Sequence, residues 1–242
     1  MAKACVIVGA GAGLGQSLAA KFAEAGYDVG LVSRSAEGSA AAAEAARKAN
    51  PKAKVAFFAG DAGKPATIEA ALGEAGAALG GIDVLVYNVR GGFSPKPPLE
   101  IGYDELQASL DEEVFGALAA AKAVMPAMIE RGSGTVIYSS ATAAFRGSGA
   151  NPLFAIGKFG ARALAQSLAK AYAKQGVHVA HVRLDCTLDV PIVRQFMGDK
   201  FDPAYAANTD DVAQTYLWIT QQPKSAWSNE VELRPYTEEW TY

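Results

Sequence analysis

Short runs rich in apolar and β-branched residues alternate with longer alanine-rich stretches along most of this chain. Ala4–Gly9, Asp28–Ser33, Lys54–Ala59, Ile82–Tyr87, Thr135–Ser140 and His178–Leu184 carry apolar residues on both alternating faces, the pattern of strands covered on both sides. Between them, Leu14–Ala25, Ala66–Leu79, Tyr103–Arg131 and Pro152–Gln175 predict helices. Gly26 is placed to end the first helix. Ser35 is placed to cap the alanine-rich helix that ends near Asn50-Pro51. Pro126 predicts a kink or an end within the stretch Tyr103–Arg131. A late helix over Asp210–Thr220 and a short strand over Glu230–Leu233 complete the pattern.

Strands that alternate with helices imply right-handed βαβ units and a parallel sheet. The expected fold is α/β: a doubly wound, Rossmann-type parallel sheet of about seven strands with helices on both faces. No linker interrupts the 242 residues, so one domain over 1–242 is expected, with a lid or substrate loop at about 187–209. Half the residues are hydrophobic and 19% are charged, which excludes intrinsic disorder for the bulk of the chain. The net charge of −3 comes with scattered lysines and arginines, which argues against a nucleic-acid surface. The two cysteines, Cys5 and Cys186, do not make a disulfide framework. The first apolar run stops at Gly9, too early for a signal peptide or a membrane span. A cytoplasmic location follows as an expectation. His178 and His181 lie at odd spacing on one strand, so no metal site is expected.

Gly9-Ala10-Gly11-Ala12-Gly13-Leu14-Gly15 follows the first strand and opens the first helix. Backbone N–H groups at such a turn can approach a pyrophosphate, and the helix dipole favours the anion. The spacing Gly9-x3-Gly13-x-Gly15 resembles the short-chain dehydrogenase/reductase family, and the resemblance covers nearly the whole chain. It rests also on Asp61-Ala62 after the third strand and on Tyr87-Asn88-Val89-Arg90, where the family has Asn-Asn-Ala-Gly. Pro126-x-Met128, the strand Thr135–Ser140 and Phe154-Ala155-Ile156-Gly157-Lys158 extend it. The resemblance implies a nicotinamide cofactor held by Gly9, Gly11, Gly13, Leu14, Gly15, Asp61, Ala62, Asn88, Val89 and Lys158. Ser33-Arg34 ends the second strand without the acid that binds ribose hydroxyls. Arg34 offers a guanidinium suited to a 2′-phosphate, so NADP(H) is expected over NAD(H).

The family's active site combines Ser, Tyr, Lys and Asn. Ser140 and Lys158 match it, Phe154 falls on the tyrosine position, and Glu113 falls on the asparagine position, three residues before Gly116. Phe154 has no ionisable group, so a redox step needs another proton source. Ser140, a water held by Lys158, Tyr138, Thr142 and Glu113 are the candidates. A Glu113–Lys158 ion pair is the alternative to Glu113 as a catalyst. Asp185-Cys186 replaces the family's Pro-Gly, and Val190 stands where a threonine is common. Arg90, at a strand end, is placed for an anion or the cofactor, or for a plain surface loop. Phe93, Phe145, Phe154 and Met197 are placed for an apolar pocket or for packing.

The leading expectation is an NADP(H)-dependent oxidoreductase, reducing a carbonyl or oxidising an alcohol on a small molecule with a non-standard proton donor. Two further classes stay open: a non-redox enzyme such as a lyase, isomerase or dehalogenase, and an inactive NADP(H)-binding protein. Resemblance also implies a homodimer or homotetramer through Tyr103–Arg131 and Pro152–Gln175. No membrane partner is expected. The tail from Trp227, with Tyr236, Trp240 and Tyr242, is expected to dock on the body or on a partner subunit.

Overall fold

The computed structural model describes residues 2–91 and 94–237. Seven parallel strands form the central sheet: β1 (Ala4–Val8), β2 (Asp28–Ser33), β3 (Val55–Ala59), β4 (Val84–Tyr87), β5 (Gly134–Ala141), β6 (Val177–Leu184) and, at one edge, Glu230–Leu233. Two short strands, β7 (Thr187–Leu188) and β8 (Ala206–Ala207), pair beside it, so the edge strand Glu230–Leu233 is β9. The order across the sheet is β3-β2-β1-β4-β5-β6-β9. Strand order therefore reverses between β1 and β4, and a crevice opens at their carboxyl ends, as doubly wound sheets require.

Side chains alternate between two cores. Cys5 and Ile7 of β1 pack with α1 (Leu14–Glu24), α2 (Ala40–Ala49) and α8 (Thr209–Gln221). Val6 and Val8 pack with α3 (Pro65–Leu79), α5 (Gly116–Glu130) and α6 (Pro152–Tyr172). The continuous apolar pattern of β1 follows directly, since all five residues are buried. Pro65 and Pro152 occupy first helical turns, where their missing N–H costs nothing.

Two expectations are corrected. Tyr103–Arg131 is not one helix broken at Pro126. It divides into α4 (Tyr103–Leu110), a π turn over Asp111–Phe115, and α5, and Pro126 lies inside α5. The break sits where Tyr87 Oη donates a 2.5 Å hydrogen bond to the Glu112 carbonyl, a tertiary contact that competes with the helical ladder. Ser35 does not cap α2. Its Oγ accepts from Gly38 N at 3.2 Å, in the 3-10 turn Glu37–Ser39 that precedes the helix. The lid region contains β7, β8 and the short α7 (Pro191–Met197). Trp227 stacks on the His178 ring at 4.7 Å and anchors the start of the tail. Tyr236 is exposed, and Trp240 and Tyr242 lie outside the described residues, as does Phe93.

Candidate functional site

The glycine turn crosses the switch point of the sheet. Gly9 has φ +86°, a region that favours glycine, and a Cβ there would stand 2.5 Å from the Asn88 carbonyl oxygen. Asn88 in turn donates Nδ2–H to the Gly9 carbonyl at 3.1 Å, so the ends of β1 and β4 are locked together. At Gly15 a Cβ would lie 2.9 Å from Ala10 Cα, so α1 seats directly on the turn, with Leu14 buried beneath. Gly13 passes beside Val190, whose Cγ1 would be 3.2 Å from a Cβ. No atom of the described residues lies within 4 Å of the Cβ position of Gly11, which faces the cleft.

That cleft is a cavity of about 400 Å³ lined by Gly9, Gly11, Ser33, Arg34, Asp61, Ala62, Asn88, Val89 and Arg90, among others. Of the residues that the sequence offered for a cofactor, Gly9, Gly11, Ser33, Arg34, Asp61, Ala62, Asn88 and Val89 line this cavity, Gly13, Leu14 and Gly15 shape the turn behind it, and Lys158 does not line it. Ser33 Oγ bonds the Ser39 hydroxyl at 2.6 Å and fixes the end of β2. Arg34 is exposed on the cavity wall. Asp61 accepts from Gly63 N at 3.1 Å. Gly116 brings α5 against this wall, because a Cβ there would collide with the Ala62 carbonyl and Tyr87 Oη.

Beyond Val89 lies a buried ion pair. Lys158 Nζ sits 2.8 Å from Glu113 Oε2, with both side chains under 5% exposed (4% and 2%). Lys158 also donates to the Val89 carbonyl at 3.0 Å, with the Ser139 carbonyl at 3.5 Å. Glu113 Oε1 accepts from Gly91 N at 2.6 Å. Two glycines make room for this carboxylate: a Cβ on Gly91 would lie 2.7 Å from Glu113 Cγ, and one on Gly157 2.8 Å from the same atom. The π turn delivers Glu113 here, off the regular helical track. Phe154, one turn before Lys158, holds its ring centroid 5.6 Å from Nζ. The sequence showed Gly91 and Gly157 only as a loop and a helix glycine, since their reason is a contact distant in sequence.

The hydroxyls near the end of β5 differ sharply. Ser140 Oγ is buried with no hydrogen-bond partner among the described residues, an arrangement that leaves it to satisfy a ligand. Ser139 points to the opposite face and accepts from Tyr216 Oη at 2.8 Å. Tyr138 is fully buried, donates to the Ala117 carbonyl at 3.3 Å, and burial pushes its hydroxyl well above the usual phenol range. It is unsuited to proton transfer. Thr142 donates to Asp185, which also pairs with Arg234. Phe145 is half-exposed and covers the Arg183 guanidinium at 4.5 Å rather than closing an apolar pocket.

This frame is shared with known proteins. The short chain dehydrogenase family profile matches residues 3–196. An uncharacterized oxidoreductase of Staphylococcus aureus is 27% identical over 236 residues, 96% of this chain and 97% of that protein. The crystal structure of a short-chain dehydrogenase from Rhodopseudomonas palustris, 28% identical, covers 97% of this chain and 99% of its own with a TM-score of 0.81. A metagenomic short-chain oxidoreductase solved in complex with NADP is 24% identical, with 98% of each chain covered and a TM-score of 0.82. Strand order, glycine turn and matched length agree, and this chain belongs to the short chain dehydrogenase family of oxidoreductases.

Proposed function

We propose that this protein is an NADP(H)-dependent oxidoreductase that interconverts a small carbonyl compound and its alcohol, with a proton donor other than tyrosine. The carrying observation is the 400 Å³ cleft at the sheet's switch point, with Arg34 on its wall. The glycine turn and the start of α1 would hold the pyrophosphate of the nicotinamide nucleotide, and Asp61 and Ala62 would face the adenine side. Arg34 would grip the 2′-phosphate. When bound, the nucleotide supplies the hydride.

The chain's own residues do the rest. Ser140, whose buried hydroxyl has no partner among the described residues, donates a hydrogen bond to the substrate oxygen. Lys158 is held by Glu113 and the Val89 and Ser139 carbonyls; with one of these three bonds exchanged, its ammonium would bind the ribose hydroxyls. Phe154 stands in the tyrosine position, its ring centroid 5.6 Å from Lys158 Nζ, and has no proton to contribute. Asn88 and Val89 define the floor at the end of β4. The paired Glu113 carboxylate acts as counter-ion to Lys158 rather than as the acid. On the outer faces, Phe115, Leu118, Ile156 and Phe159 are 37–44% exposed near α5 and on α6. These apolar side chains are the proposed contact of a homodimer or homotetramer.

A fluorescence titration of the protein with NADPH beside NADH tests this reading. Micromolar binding with preference for NADPH is expected. Arg34→Ala removes charged hydrogen bonds of about 1.5–3 kcal/mol, so NADPH affinity falls roughly 10- to 100-fold while NADH affinity barely moves. Equal losses for both would refute the phosphate grip. Failure of both nucleotides to bind would remove the redox reading.

A further inference from the structure

The carboxyl ends of β5, β6 and β9 carry a polar relay. β5 and β6 pair with Ser140 opposite Arg183 and Ala141 opposite Leu184, and Arg183 lies opposite Glu232 of β9. The next residue beyond each strand end continues the row: Thr142, Asp185 and Arg234. Thr142 Oγ1 donates to Asp185 Oδ1, Asp185 Oδ2 pairs with Arg234, and Arg234 and Arg183 both pair with Glu232. Asp185 is 7% exposed. Asp185 Oδ1 accepts from the Thr142 hydroxyl, and Oδ2 faces the Arg234 guanidinium, which carries only donors. The Thr142 hydroxyl proton is therefore committed to Asp185, and its oxygen is left with lone pairs alone. Thr142 itself remains partly exposed.

Ser140 is the penultimate residue of β5 and Thr142 opens the 3-10 turn Thr142–Ala144; the extended Ala141 between them (φ −147°, ψ 172°) turns both side chains to one side. At a rise of about 3.3 Å per residue their Cα atoms stand roughly 6.6 Å apart. Ser140 Oγ can donate to a substrate oxygen, because no group among the described residues occupies it. Thr142 Oγ1 can only accept. A path through two hydrogen bonds of about 2.8 Å and two neighbouring substrate oxygens is longer than that gap, and spans it when bent. A carbonyl oxygen suits the first position, and a hydroxyl, which must donate, suits the second.

Building on the oxidoreductase reading, we infer that Thr142, oriented by Asp185 and Arg234, selects substrates with a hydroxyl on the carbon next to the reacting carbon. The substrate class is α-hydroxy carbonyl compounds and the corresponding vicinal diols. Thr142 is a specificity residue, and Asp185 acts through it as a positioning residue. A substrate lacking the hydroxyl leaves the Thr142 acceptor without a partner and is bound less tightly.

The test is a saturation-transfer NMR titration of 1-hydroxybutan-2-one against butan-2-one, on the protein with and without NADP+. About tenfold tighter binding of the hydroxyketone is expected. Thr142→Val, close in shape, should bring the ratio to near one, and Thr142→Ser should retain it. Asp185→Asn should shrink the ratio with Thr142 still present, and circular dichroism checks that each variant is folded. Equal affinity of the two ketones for the wild type would overturn the inference, as would no binding of either. An unchanged ratio in Thr142→Val would do the same. Selective binding without any NADP(H) turnover would instead support the hydroxyl site and count against the oxidoreductase reading.

Discussion

Replacing Glu113 by Gln isolates the charge of the buried pair while keeping its shape. Glu113 and Lys158 stand 2.8 Å apart with side chains almost wholly out of water. Removing one partner of such a pair leaves an uncompensated charge, which typically costs 3–5 kcal/mol. The Gln carbonyl still accepts one hydrogen bond, and Lys158 keeps the Val89 carbonyl at 3.0 Å. The lower end, about 3 kcal/mol, is therefore expected. Against a total stability of about 5–15 kcal/mol this is a large fraction. With a urea slope of about 3 kcal/mol/M, the unfolding midpoint should fall by about 1 M at unchanged slope. Lys158→Met should cost a similar amount. The double variant should cost less than the sum by about 2 kcal/mol, since the second change removes the stranded charge. Urea unfolding of the four proteins, followed by circular dichroism, gives the coupling. A loss below 0.5 kcal/mol for the single Glu113→Gln variant, or additivity of the two changes within about 0.5 kcal/mol, would refute the reasoning.

Three more expectations follow from the same geometry. Gly157→Ala gains about 1 kcal/mol of helix propensity, yet its Cβ would sit 2.8 Å from Glu113 Cγ. Net destabilisation of about 1–2 kcal/mol in urea is expected, and net stabilisation would show that Glu113 is not confined. Burial pushes His181 down to about 4, with its Nε2 enclosed and without a hydrogen-bond partner among the described residues. The unfolded chain takes up this proton near pH 6.5 and the folded one does not, so stability falls as pH drops from about 6.5 to 4, by up to about 3 kcal/mol. His181→Asn should flatten that window in urea unfolding measured at stepped pH, and a wild-type curve flat over the same window would contradict the burial argument. Phe159→Glu, on an exposed apolar position of α6, should lower the molecular mass seen by light scattering without lowering the melting temperature of the monomer. An unchanged mass would take α6 out of the assembly contact.

The sequence by itself determined the strand and helix alternation, because apolar runs and glycine or proline punctuation are local signals. Parallel strands buried on both faces leave a continuous apolar trace, and Ala4–Val8 and Val84–Tyr87 are buried throughout. The glycine turn was legible for the same reason, since Gly9 needs its backbone freedom whatever lies beyond. Tertiary structure decided what the polar groups do. Glu113 and Lys158 lie far apart in the chain, and nothing local pairs them. Their meeting depends on a π turn pinned by Tyr87 and on two glycines, Gly91 and Gly157, that leave the carboxylate room. The same holds for Pro126, which the sequence read as the break in a long helix and which α5 accommodates. Thr142, Asp185 and Arg234 became one network only because β5, β6 and β9 end side by side. Sequence pattern reports which residues must be buried. Charge and hydrogen-bond partners depend on register and strand order, which long-range packing sets.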